Sequence, residues 1–142
     1  MALKVELLEK SFALVAPKAQ ELADAFYSSL FADYPAVKPL FAKVALPEQK
    51  KKLLASLALV VNNLRKPKVL VPALEDMGLR HVDYGARKEH YPAVGATLLK
   101  SLAKVAGKAW NKELEQAWSE AYAEITRMML AGAKKAATVG AK

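Results

Sequence analysis

Apolar residues recur along this chain at intervals of three and four, and hardly anywhere at the alternating spacing of a half-buried strand. Val5, Leu8, Phe12 and Val15 share one helical face, and that stripe ends near Pro17. Pro17 itself suits the opening turn of a next helix, whose apolar face carries Leu22, Phe26, Leu30 and Phe31. Tyr34-Pro35 predicts a break, followed by a short helical turn with Val37, Leu40 and Phe41. Pro47 opens a longer helix with Leu53, Leu57, Val60 and Leu64 on one side. After the polar link Arg65-Lys66-Pro67 comes a stripe of Leu70, Leu74, Met77 and His81, with Tyr84-Gly85 as its expected end. Tyr91-Pro92 starts a further helix bearing Val94, Leu98, Leu102 and Val105, closed at Gly107. The last runs from about Lys112 through Leu114, Trp118, Tyr122, Ile125 and Met129. Neither Asn-Gly nor Asp-Gly occurs, so no tight hairpin is signalled. The pattern predicts one all-α domain of about seven helices over residues 1–133, the last two long and adjacent. A flexible Ala/Lys-rich tail is expected over 134–142.

Composition narrows the chemistry. With 142 residues, 54% of them hydrophobic, the chain can bury one core. It contains 0 cysteines, which excludes disulfides, iron–sulfur clusters, thiolate-ligated haem and thiol nucleophiles. Histidine occurs only at His81 and His90, so no three-histidine metal site can be built. The apolar run 57–61, with 53–55 before it, is broken by Ser56 and far too short to span a bilayer. The first residues alternate charge with apolar side chains and lack a signal-peptide core, so a cytoplasmic protein is expected. A surplus of basic residues, 22 against 14 acidic, gives a net charge of +8. Its lysines are dispersed, three of them in the tail (Lys134, Lys135, Lys142), and no aromatic residues interleave with a basic run. Nucleic-acid binding is therefore not expected.

Three polar residues interrupt apolar helical faces. His81 shares a face with Leu74 and Met77, where an imidazole needs a partner. It is either a core histidine bonded to a backbone carbonyl or an axial ligand to haem iron. In the second role one ring nitrogen binds the metal while the other donates to a carbonyl one turn earlier. Gln49 extends the Leu53/Leu57 stripe and is either a solvent-facing helix end or a pocket amide. Tyr27 lies one turn before Phe31, its hydroxyl able to reach a partly buried site. A ligand pocket needs a few placed polar groups in an apolar wall, and these three together fit that description.

At these residues the sequence resembles the globins. The segment Phe26-Tyr27-Ser28-Ser29-Leu30-Phe31-Ala32-Asp33-Tyr34-Pro35, followed by Leu40-Phe41, is similar to their B helix, C turn and haem-packing phenylalanine. Met77-Gly78-Leu79-Arg80-His81, then Tyr84-Gly85 and His90-Tyr91-Pro92-Ala93-Val94-Gly95, resembles the proximal-histidine helix and the helix after it in bacterial single-domain globins. That group includes relatives of flavohaemoglobins, the Hell's Gate globin and the neuroglobin-like proteins. The 32 positions from Gln49 to His81 suit its distal-to-proximal separation. The resemblance implies a three-on-three helical sandwich, the globin fold. Only eight positions separate Phe41 from Gln49, implying a short connection without a D helix.

Carried onto this chain, the resemblance makes His81 the proximal iron ligand and Tyr27 and Gln49 the distal pair. Leu53 becomes the apolar distal residue, Phe41 the ring stacked on the macrocycle, and Met77, Ala86 and Tyr91 proximal haem contacts. In the run Lys50-Lys51-Lys52, cations oppose the dipole of the helix start. Lys50 and Lys51 read as a solvated face, whereas Lys52 is implied as a partner of a haem propionate, with Arg87 as a second candidate. His90 is expected to be exposed near a helix start. The implied function is reversible O2 binding at the five-coordinate iron of haem b, with CO and NO as further gases. A tyrosine–glutamine pair implies NO dioxygenation as well. The globin resemblance covers nearly the whole chain, up to about Ala133, so electrons are expected from an external reductase. A gas sensor acting through a partner protein and a cofactor-free helical interaction protein are the alternatives.

Overall fold

A computed structural model of the chain describes residues 4–42, 45–83 and 90–140. Among them are six α-helices: α1 (Val5–Val15), α2 (Ala19–Asp33), α3 (Leu46–Asn62), α4 (Pro67–Asp83), α5 (His90–Ala106) and α6 (Lys112–Gly140). Short 3-10 turns at Ala16–Lys18, Pro35–Phe41 and Gly107–Ala109 join some of them. The expected seventh helix, carrying Val37, Leu40 and Phe41, is therefore a 3-10 segment. Pro35 opens it at no cost, but Pro39 lies inside it, where its ring cannot supply the amide that a continuing α-helical turn requires. The last helix, α6, runs from Lys112 to Gly140 and so extends into residues 134–140. Alanine and lysine, which dominate that stretch, favour helix.

Helix ends follow local chemistry. Pro47 stands in the first turn of α3, where its missing amide costs nothing. Gly107 stops α5 with φ at +59°, a conformation glycine alone adopts without penalty. Asn111 caps α6 by accepting the Leu114 amide at 2.9 Å. One proline breaks the pattern: Pro72 lies inside α4, where it deprives the chain of one helical hydrogen bond.

The apolar stripes meet in two clusters. The larger gathers Leu8, Val15, Leu22, Phe26, Tyr27, Leu30, Leu57, Leu98, Leu102 and Trp118, joining α1, α2, α3, α5 and α6. Within it the buried indole of Trp118 donates to Ser11 Oγ at 2.9 Å, and that hydroxyl donates on to the Leu7 carbonyl at 2.7 Å. The smaller cluster holds Val60, Leu70, Leu74, Tyr91 and Met129, seated where α4 lies along α6. None of the described helices is long and apolar enough to cross a membrane.

Candidate functional site

His81 sits in the last turns of α4, half-buried, on the face that carries the fully buried Leu74. Its Nδ1 lies 2.7 Å from the carbonyl oxygen of Met77, one turn earlier. A carbonyl can only accept, so Nδ1 carries the hydrogen and donates it. Burial holds the imidazole below its ordinary pKa, outweighing the Met77 bond, and the nearby Arg80 guanidinium pushes the same way as burial. A neutral ring with its hydrogen on Nδ1 keeps the lone pair of Nε2, the state a metal ligand requires.

The second half of α2 and the 3-10 turn Pro35–Phe41 build an aromatic wall. Tyr27 is only 4% exposed. It meets Phe26 edge-on at 5.0 Å between ring centroids and Phe41 at 5.7 Å, while Phe31 lies tilted at 6.0 Å. Phe31 and Phe41 pack against each other at 5.4 Å. The Tyr27 hydroxyl approaches the backbone carbonyl oxygen of Gln49 at 3.5 Å, a long and weak bond. Desolvation raises its pKa, so the phenol keeps its proton and remains a donor. The structure thus brings Tyr27 and Gln49 together through the Gln49 main chain; the Gln49 side chain is half-buried. Leu53, one turn further along α3, packs half-buried against the same cluster as Phe41.

The three lysines of α3 part company. Lys50 was expected on a solvated face, but its side chain is 23% exposed and pairs with Asp24 of α2 at 2.9 Å. Asp24 also accepts from Gln20 at 2.9 Å. Its carboxyl is held below the usual carboxylate range by the Lys50 bond first and the Gln20 bond second. This pair fastens the start of α3 to α2 and offsets the unfavourable dipole. No local signal in the sequence pointed to Asp24. Lys51 reaches Glu48 loosely at 3.7 Å in the open, and Lys52 is exposed.

On the His81 side, Met77 packs half-buried against the smaller cluster that contains Tyr91. The Tyr91 carbonyl accepts from the Tyr122 hydroxyl at 2.6 Å, tying the start of α5 to α6. Burial raises the pKa of both phenols, so both stay protonated. Ala86, Arg87 and Tyr84-Gly85 lie outside the described residues. His90 was expected to be exposed; it is half-buried at the first position of α5, lining a surface cleft of about 630 Å³ with Asp33, Tyr34 and Pro92.

Among the described residues no three His, Cys, Asp or Glu side chains gather to hold a bare metal ion. One neutral imidazole cannot hold such an ion alone, whereas it suffices as the axial ligand of an iron already carried by a macrocycle. The donor set therefore fits haem: one oriented imidazole, an apolar and aromatic wall, and a phenolic donor.

Comparison with known proteins agrees. The model of the family described as Globin matches residues 24–129, and the chain belongs to this family. A flavohemoprotein of Rhodopirellula baltica is 33% identical over 120 residues, covering 83% of this chain and 29% of that protein. One from Bordetella parapertussis is 33% identical over 107 residues, 74% of this chain and 27% of its own length. The chain thus spans less than a third of the flavohemoproteins it matches. A bacterial globin from Campylobacter jejuni superposes with a TM-score of 0.82 at 27% identity, over 94% of this chain and 96% of that one. An engineered carbene transferase, built on a protein designated a nitric oxide dioxygenase from Rhodothermus marinus, gives 0.86 at 25% identity over 97% and 96%. Membership of the globins and the flavohemoprotein relatives imply a haem cofactor.

Proposed function

We propose that this chain is a haem-b globin that binds O2 reversibly at a five-coordinate iron and oxidises NO when a reductase supplies electrons. The observation that carries the reading is the 2.7 Å bond from His81 Nδ1 to the Met77 carbonyl, which presents a neutral, oriented imidazole from an apolar face. His81 would hold the iron, and the haem supplies the position at which a diatomic gas coordinates. Phe41 and Leu53 would wall the distal side, with Met77, Ala86 and Tyr91 on the proximal side and Lys52 beside a propionate. Tyr27, protonated and held at a long distance from its carbonyl partner, is free to turn its hydroxyl toward a ligand that gains negative charge. Gln49 would add its amide from the adjacent turn of α3. Such bonds strengthen where water is excluded. NO dioxygenation draws support from the flavohemoprotein relatives and from the Rhodothermus neighbour.

The purified protein is expected to show a Soret band, to yield the pyridine haemochrome of haem b, and to form distinct O2 and CO spectra. NO consumption under O2 with a supplied reductant separates the enzyme from a carrier. A colourless protein that also fails to take up hemin would refute the haem reading outright.

A further inference from the structure

The helix that carries His81 meets α6 more extensively than any other pair of helices meets, and two glycines lie in that contact. A Cβ on Gly78 would run into the backbone carbonyl and Cα of Met129, and one on Gly132 into the same atoms of Glu75. Backbone atoms cannot rotate aside as the end of a side chain can. Moving three residues forward along α4, from Glu75 to Gly78, corresponds to moving three back along α6, from Gly132 to Met129. The helices therefore run antiparallel, and two close contacts one turn apart hold both their separation and their slide. Glycine weakens a helix interior relative to alanine, so these two positions forgo local helix stability for the close approach.

We propose that the paired contacts at Gly78 and Gly132 position His81, setting the depth at which α4 presents its imidazole to the haem; this rests on His81 being the iron ligand. Gly78 lies one turn before His81 and beside Met77, whose carbonyl orients the ring at 2.7 Å. The ligand and its orienting group thus ride on the stretch of α4 that the notch holds. Two other glycines act differently. Gly95 makes room for the Tyr122 ring, a side chain, and Gly107 has φ +59° with nothing within 4 Å of a Cβ. A methyl at Gly78 or Gly132 would force α4 and α6 apart by roughly 1–2 Å to restore an ordinary carbon contact, and His81 would move with α4.

The test uses the haem-loaded wild type and the variants Gly78→Ala, Gly132→Ala and Gly107→Ala. Resonance Raman of the ferrous form reads the iron–histidine stretch, and hemin transfer to apomyoglobin reads retention. Gly78→Ala and Gly132→Ala should shift the band in the same direction and lose hemin on the order of tenfold faster. Gly107→Ala, strained by its positive φ yet remote from the contact, should leave the band in place. In a His81→Gly background with added imidazole, where the ligand is no longer attached to α4, Gly78→Ala should not move the iron–imidazole band. A band indifferent to both contact glycines, an equal shift in Gly107→Ala, or a shift in the detached background overturns the proposal. A wild type lacking any iron–histidine band overturns the ligand assignment itself. Where the alanine variants do not fold, hydrogen exchange of the wild-type haem protein decides. Amides of 75–81 and 129–132 should lose protection as one unit, and α4 opening while α6 stays closed overturns the proposal.

Discussion

Replacing Tyr27 by Phe removes one oxygen atom and leaves the ring where Phe26 and Phe41 hold it, at 5.0 and 5.7 Å. The hydroxyl's partner in the folded chain is the Gln49 carbonyl at 3.5 Å, the outer limit of a hydrogen bond. Losing so long a bond should cost the folded state about 0.5 kcal/mol, the low end of the usual range. The effect on O2 is larger. O2 bound as proposed would draw negative charge onto its outer atom, and a bond to a charged group is worth about 1.5–3 kcal/mol. At a factor of ten per 1.4 kcal/mol, O2 should leave on the order of 10 to 100 times faster. CO gains little charge and should leave at a nearly unchanged rate. Stopped-flow dissociation of both gases from wild type and Tyr27→Phe makes the comparison, with urea unfolding of each protein alongside. Equal acceleration of the two gases would mean loosened packing rather than a lost bond. No change for O2 would mean that the hydroxyl stays on the Gln49 carbonyl, and the distal donor would have to be another group.

His81→Ala should abolish retention of the Soret band through gel filtration, and added imidazole should restore it. Ser11→Ala leaves the buried Trp118 N–H without its 2.9 Å acceptor, which should lower stability by about 1–3 kcal/mol and the melting temperature by on the order of 5 °C in a thermal scan. The Asp24 carboxyl is depressed in the folded chain by Lys50 and Gln20, so its contribution is present above the ordinary carboxylate pKa. That contribution is lost as pH falls through the depressed value. Urea unfolding between pH 5 and 3 should show a shallower acid loss in Asp24→Asn, and high salt should shrink the difference because the Asp24 side chain is 53% exposed.

What could be read from the sequence was what depends on near neighbours. The bond from an imidazole to a carbonyl one turn back is set by helix geometry alone, so the His81–Met77 pair was foreseeable from four residues of spacing. Helix ends at Pro47 and Gly107 followed from single-residue chemistry in the same way. The features that escaped depend on how helices cross. Tyr27 meets the main chain of Gln49 rather than its amide because of the approach of α2 to α3, which no periodicity encodes. Lys50 looked solvated until α2 placed Asp24 beside it. Nothing in the helical pattern marks Gly78 and Gly132, whose close approach appears only in the α4–α6 contact. The turn at Pro35–Phe41 is an intermediate case: the break at Tyr34-Pro35 is local, and Pro39 inside the turn favours 3-10 over α geometry.

The residues proposed for the two haem walls rest mainly on different clusters, joined through Val60 and Leu64, and how far they act separately is testable. Tyr27, Phe41 and Leu53 belong to the larger cluster, with the start of α3 held to α2 through Lys50 and Asp24. Met77 and Tyr91 belong to the smaller one, while Tyr122, whose hydroxyl ties α5 to α6 at 2.6 Å from the Tyr91 carbonyl, packs against the larger; the two hydroxyls, of Tyr27 and Tyr122, have different partners. Groups without shared partners contribute additively, within about 0.3–0.5 kcal/mol. Tyr122→Phe should therefore destabilise the protein by about 1 kcal/mol, the value of one buried hydrogen bond. Combined with Tyr27→Phe, the two costs should simply sum in urea unfolding. Their functional effects should divide as well: Tyr27→Phe speeds O2 release, whereas Tyr122→Phe leaves it near the wild-type rate. A coupling well above 0.5 kcal/mol would show that the walls are one mechanical unit. In that case a proximal change would reach the gas through the packing of α3 against α4, and the distal donor could not be tuned independently of the iron ligand.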